Sequence, residues 1–449
     1  MCRSAFQRRR GAEDDLFFEK KLAKLQKQGY AVKEREFEYA VYGISVIMKG
    51  FGNMKRFACW ILLLFCILSV CADKTESWKI ADGAVYTSIS RPDEPYEIRV
   101  IRILREKKDI VVDMVMANDS LRGLEWVRTA AERMEKKGRK VIAGVNGDFY
   151  FMSNHEKTGL PLGPSVSGGK LYTSGTMKGA FYIAGDGIPR IGTLTFEGFV
   201  ESQGKKIPLD FFNWENSSRN ARKIIPPDQA KGDQVILFTH DWKWAIPYSG
   251  VRVRLERPIS GTGGSWTGCV SGVFKADESV SGDPYEIVLA GTGGKQNPVN
   301  ALDGRVTISF GFRECKQPVR TSLGSWEVLL RNGRILPPDA PKAARHPRTM
   351  IGFNDRELFF VTVDGRQKGW SKGMRSVDQA RLLKELGCTE GCNIDGGGST
   401  TAWVRGKCVN RPSDGHMRRN ANAVLISTDR ELPPLDRPLV LPPPREKKK

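Results

Sequence analysis

Histidine is scarce: His155, His240, His346 and His416 are the only four in 449 residues. A two-metal hydrolase centre draws on imidazole ligands, and this chain has little to offer one. Acidic residues are short too, with 51 Asp and Glu against 71 Lys and Arg, a formal net charge of +20. Such a balance favours anionic partners: phosphate-rich glycans, nucleic acid or membrane surfaces. Export and the lack of an aromatic-basic recognition motif set nucleic acid aside. None of the Gly-Gly pairs matches a phosphate-binding P-loop, so they read as turns. Cys388 and Cys392 lack the second pair that a structural zinc site would need. What is present, 40% hydrophobic and 27% charged residues, suits a folded soluble chain with a sizeable core and excludes global disorder.

Met54-Lys55-Arg56 precede an uncharged run, Phe57 to Cys71, of 15 residues. The run is shorter than the ~20 residues of a membrane span. Small residues follow, the order of a secretory signal, with cleavage expected after Ala72. Lipid attachment at Cys71 is an alternative. Residues 1–53 read as a leader of doubtful reality, with Met54 or Met48 as the true start. The division expected is 54–72 signal peptide, 73–431 catalytic domain, and 432–449 a Pro-rich, basic, disordered tail. The protein is then secreted or periplasmic, acting at an envelope, and meets membrane only through its signal segment. Five cysteines, Cys269, Cys315, Cys388, Cys392 and Cys408, remain after the leader. An odd number leaves at least one unpaired within the chain.

Tyr96–Val100 alternates apolar and charged residues, and Asp109–Ala117 is rich in Val; both read as strands. Ser120 caps an expected helix running to about Lys137, stopped by Gly138. Val141–Val145 is a short buried strand. From about 207 to 320, strand-like runs (Gln234–Thr239, Val251–Leu255, Tyr285–Leu289, Val306–Phe310) are separated by Gly, Pro and Ser turns, which gives a β-rich insertion. The alternation resumes with a strand at Leu358–Val363, a helix opened by a Ser376/Gln379 capping box and stopped by Gly387, and a strand at Cys392–Ile394. The fold class expected is α/β or α+β: a mixed β-sheet core with flanking helices and the β-rich insertion.

Three acidic residues share one context. Asp148, Asp364 and Asp395 each follow a buried strand at a glycine-bearing turn, and the last precedes Gly396-Gly397-Gly398-Ser399. Ligands bind at such strand ends in α/β sheets. Converging carboxylates serve acid/base work or hold a hard cation, Ca or Mg. The successive amides of the Gly396–Ser399 turn suit a phosphate. Arg348 is able to grip a phosphodiester with two parallel bonds.

Together Asn146-Gly147-Asp148-Phe149-Tyr150, Pro347-Arg348-Thr349-Met350-Ile351-Gly352, Val363-Asp364-Gly365-Arg366 and Asn393-Ile394-Asp395-Gly396-Gly397-Gly398-Ser399 resemble the phosphodiester glycosidase family. Arg411-Pro412-Ser413-Asp414 and Asn422-Ala423 resemble its closing motif, and the similarity spans roughly residues 80–428. The resemblance implies hydrolysis of a sugar-1-phosphodiester to free sugar and phosphomonoester. It makes Asp148 and Asp395 the leading acid/base or ligand-positioning residues and sets Asn146 and Asp364 to orient sugar or metal. Arg348 and the Gly396, Gly397, Gly398 and Ser399 turn would bind phosphate. Asp378 and Asp414 join as substrate-side candidates, Asp378 standing where relatives often carry the longer Glu. Two other readings remain: a phosphodiesterase cleaving P–O, and an envelope glycan-binding module on the same scaffold.

Overall fold

The computed structural model describes residues 73–152, 157–177, 179–215 and 233–444. The signal segment, residues 1–53 and the last five residues lie outside them. Strands take 46% of the described residues and helices 10%, so the fold is β-dominated and α+β only loosely. The alternating α/β arrangement is corrected. Strand pairs among the described residues are antiparallel, except that Phe211–Phe212 runs parallel to Val235–Phe238.

Two sheets position the site. An eight-stranded sheet begins with the meander Lys74–Ala81, Ala84–Arg91 and Tyr96–Leu104. It then takes Glu357–Val363, Arg348–Phe353 and Glu390–Ile394 in spatial order, and ends with Glu327–Arg331 and Arg334–Ile335. A five-stranded sheet sets Lys140–Asn146 between Ala402–Val404 and Asn422–Thr428. Glu357–Val363 is apolar and buried from its second residue on, as a strand covered on both faces must be.

The β-rich region is a second eight-stranded sheet drawn from residues 196–312, a somewhat different span from the expected 207–320. Its strand Arg305–Phe312 buries Val306, Ile308, Phe310 and Phe312 in strict alternation, and Trp266 stacks on Phe310 at 4.6 Å. Val166, Leu171, Tyr182 and Val319 share its core, so the region is continuous with the neighbouring five-stranded sheet.

Among the described residues three α-helices flank the sheets: α1 (Val127–Lys136), α2 (Gln296–Asn300) and α3 (Ser376–Glu385). The first starts later than Ser120 suggested. Glu125 is held extended by two backbone bonds to Asn420, and Arg133 pairs with Glu125 at 2.7 Å. Long-range pairing here overrides the local cap. In α3 the capping residue is Arg375, whose N–H is met by Asp378 at 3.3 Å; Ser376 lies inside the helix. No described helix is long and apolar enough to cross a membrane.

Residues 432–444, expected as part of a disordered tail, form an extended strap. The Trp78 indole donates to the Pro438 carbonyl at 3.2 Å, Arg437 covers the same ring at 4.5 Å, and Leu432, Leu435 and Leu439 pack on the core. All five described cysteines are free thiols.

Candidate active site

Glu357–Val363 and Glu390–Ile394 end at the same edge of the large sheet, and Arg348–Phe353 starts between them, with Arg348 opposite Val363 and Thr349 opposite Ile394. Asp364, Arg348 and Asp395 are thereby delivered to one edge. Asn146, ending its strand in the other sheet, clasps the two together. Its amide donates to the Asp395 carbonyl at 2.7 Å, and its Oδ1 accepts the Thr349 hydroxyl at 2.7 Å and the Thr401 N–H at 3.1 Å. Fully buried, Asn146 uses these three bonds to join the two sheets.

Asp148 sits behind this clasp. One carboxylate oxygen accepts the N–H groups of Gly163 and Gly324, each at 2.9 Å, while Oδ1 is buried without a partner. A Cβ on Gly324 would stand 2.7 Å from that oxygen, so only glycine fits there. Burial pushes the carboxyl up to about 7 and the Asp395 charge adds to the shift, against the two amides.

Asp395 is partly accessible. Burial pushes its carboxyl up to about 6, while the Ser399 hydroxyl, the Gly396 N–H at 2.8 Å and the Arg418 charge hold it down. The Tyr150 hydroxyl belongs to the same neighbourhood. It donates to the Arg419 carbonyl at 2.9 Å, and its phenol is raised by burial and by the Asp395 charge.

The glycine turn follows Asp395 as expected, with a different use. Its amides are engaged internally: Gly396 on the Asp395 carboxyl, Gly397 on the Pro347 carbonyl at 2.9 Å, and Ser399 on the Gly396 carbonyl at 3.2 Å. Around the same turn stands a cradle of two guanidinium groups. A Cβ on Gly397 would lie 3.3 Å from Arg366, and one on Gly398 would collide with Arg418 and Asp414. Arg366 stands at a left-handed φ of 59° and donates to His346 Nδ1 at 3.2 Å. Burial and the charges of Arg366 and Arg348 keep His346 below its usual value, so its ring stays a neutral acceptor. Arg418 is held by Asp414 at 2.6 Å. Arg348 donates Nε to the Met374 carbonyl at 2.9 Å; burial lowers its pKa, while the Glu327 charge counteracts.

Two expected members do not converge on this cradle. Asp364 is 1% exposed and saturated: it accepts the Trp370 indole at 2.8 Å, the Asn410 amide at 3.0 Å and the Arg411 N–H at 3.0 Å. It anchors the turn that carries Arg366. Asp378 caps α3 and pairs with Arg375 at 2.8 Å and Arg345 at 2.7 Å. Among the described residues, no three His, Cys, Asp or Glu side chains gather as metal ligands. Asp395, the partly accessible residue, also lies within reach of the Arg418 charge. Arg366, Arg418, Tyr150 and Glu327 were missed as site residues. The first three lay within or beside the noted motifs; nothing near Glu327 signalled it.

The fold is shared with solved structures. A hypothetical protein from Synechocystis matches with a TM-score of 0.61 and 15% identity, over 79% of this chain and 64% of that one. A Burkholderia pseudomallei protein assigned as exported matches with a TM-score of 0.55 and 19% identity, over 74% of each chain. Residues 268–427 match the phosphodiester glycosidase family, so the resemblance carried by the motifs holds for this segment. The matched segment includes Arg348, Arg366, Asp395, the glycine turn and Arg418. The chain is also 31% identical over 149 residues to the SPbeta prophage-derived uncharacterized protein YomE of Bacillus subtilis, covering 31% of this chain and 23% of YomE. It thus spans under two thirds of the YomE and Synechocystis proteins.

Proposed function

We propose that this protein is an exported hydrolase that cleaves a glycosyl phosphodiester at the sugar C–O bond, giving free sugar and a phosphomonoester. The observation that carries the reading is the cradle of Arg366 and Arg418 over the Gly397-Gly398 turn, immediately beside the partly accessible Asp395. Guanidinium groups match a phosphodiester with paired donors. In the step proposed, water attacks the anomeric carbon as the bond from that carbon to the phosphate oxygen breaks. The electron pair leaves with the phosphate, where Arg366 and Arg418 stabilise it. The Asp395 carboxylate, ionised above about 6, takes the water proton. Asp148 does not touch substrate; it holds Gly163 and Gly324 behind the clasp. Its location beyond the membrane rests on the sequence of residues 54–72, and the +20 charge suits a phosphate-bearing glycan of an envelope or extracellular matrix.

The test is incubation of the purified protein with an N-acetylglucosamine-1-phosphodiester in 18O-water, with and without chelator. Label in the released sugar supports C–O cleavage. Label in phosphate, or a sugar-1-phosphate product, makes it a phosphodiesterase, and chelator sensitivity would place a cation in the reaction. Binding without turnover would leave a glycan-binding module.

A further inference from the structure

We infer that Trp326, seated against Phe149, is the platform on which the substrate's sugar ring lies; this rests on the site reading above. Trp326 is 48% exposed, and its place, not its exposure alone, marks it out. It is mounted on the segments that build the site. Its N–H donates to the Asn393 carbonyl at 3.3 Å, two residues before Asp395. Gly324, two residues earlier, donates to Asp148. On the other side, Phe149 directly follows Asp148, and its ring meets Trp326 at 5.6 Å and 46°. Glu327, the next residue, is close enough for its charge to act on Arg348.

A phosphodiester held by guanidinium groups has its charge recognised, but a sugar ring also has an apolar C–H face. Binding sites combine such an apolar or aromatic wall with a few polar groups. Trp and Tyr supply it with little loss of side-chain freedom. Among the described residues the other exposed rings have partners of their own. Tyr285 lies under Arg254 at 5.3 Å in the β-rich region, and the Trp126 indole donates to the Met417 carbonyl at 3.0 Å. Trp326 has its partner on the Asp148 loop itself, so the ring stands at the sheet edge that carries Asp395. The sugar half of specificity is then read by Trp326 and the phosphate half by the arginines.

Titration calorimetry on the purified full chain separates the two halves. The probes are inorganic phosphate, glucose 1-phosphate and N-acetylglucosamine 1-phosphate; the variants are Trp326→Ala and Trp326→Phe. The wild type is expected to bind one of the sugar phosphates more tightly than phosphate. Trp326→Ala should lose roughly tenfold for that sugar phosphate, about 1.4 kcal/mol, with phosphate affinity unchanged, and Trp326→Phe should keep most of the preference. A wild type without preference, a preference that survives Trp326→Ala, or an equal loss for phosphate would each overturn the platform. The hydrolase reading fails independently: a Trp326-dependent preference without turnover in the diester assay leaves the platform and removes the enzyme.

Discussion

Changing Asp148 to Asn removes a titration that the fold opposes while keeping the shape of the side chain. The Asn carbonyl can accept the Gly163 and Gly324 N–H groups in place of the carboxylate oxygen, and the amide nitrogen takes the position of the unpartnered Oδ1. In the wild type the folded carboxyl is pushed up to about 7 from an ordinary 3.8. The folded state therefore binds its proton more tightly than the unfolded chain. That advantage is complete below about 4 and is lost as pH rises through about 7. A gap of about 3 units at ~1.36 kcal/mol each sets a ceiling of about 4 kcal/mol. Asp395 titrates in the same direction and its charge helps to raise Asp148, so Asp148→Asn removes that coupling as well and the comparison reads the pair. Urea unfolding followed by tryptophan fluorescence at pH 5 and pH 8.5 spans only the ~2 units of that window above pH 5, so Asp148→Asn should gain on the wild type at the higher pH by up to about 2.7 kcal/mol. A difference between the two proteins that does not change with pH would refute the assignment of a strained, proton-holding carboxyl to this position.

Wild-type turnover should rise with pH through about 6 as Asp395 ionises, and Asp395→Asn should lower kcat by about a hundredfold or more; an unaltered kcat removes it from the reaction. Gly398→Ala should displace the Arg418–Asp414 pair and weaken inorganic phosphate binding about tenfold in calorimetry, on the scale of one charge-assisted hydrogen bond; unchanged affinity would move the phosphate elsewhere. Asp364→Ala strands the Trp370, Asn410 and Arg411 donors and should cost about 3 kcal/mol or more, read as a lower melting temperature; a stability-neutral change would show that the anchor is dispensable.

Local pattern carried much of this architecture. The alternation of Arg305–Phe312 and the closed apolar run of Glu357–Val363 announced their strands because each buries one or both faces. What local pattern does not contain is the partner. Tyr96–Leu104 pairs with Glu357–Val363, more than 250 residues later, and nothing in either segment names the other. The late start of α1 has the same cause, since Asn420 decides it. In the site, the motifs located the Asp395 turn and the glycines, but glycine was read as freeing amides for an anion. The structure uses it to admit guanidinium groups at close range. Arg366 and Arg418 were obscure because one depends on a left-handed turn and the other on a loop four residues beyond Asp414. Asp364 was read as reactive because its flanks match those of Asp395; only its three donors distinguish the two.

The strap over Trp78 closes the chain's path nearly into a ring. The first described strand and the last described segment touch, Trp78 donating to Pro438 across 360 residues of sequence. The same closeness makes the order of the sequence dispensable. A short linker from the strap to the strand of Trp78, with a break opened at the exposed Asp186-Gly187 turn, should preserve the strand pairings around the guanidinium cradle.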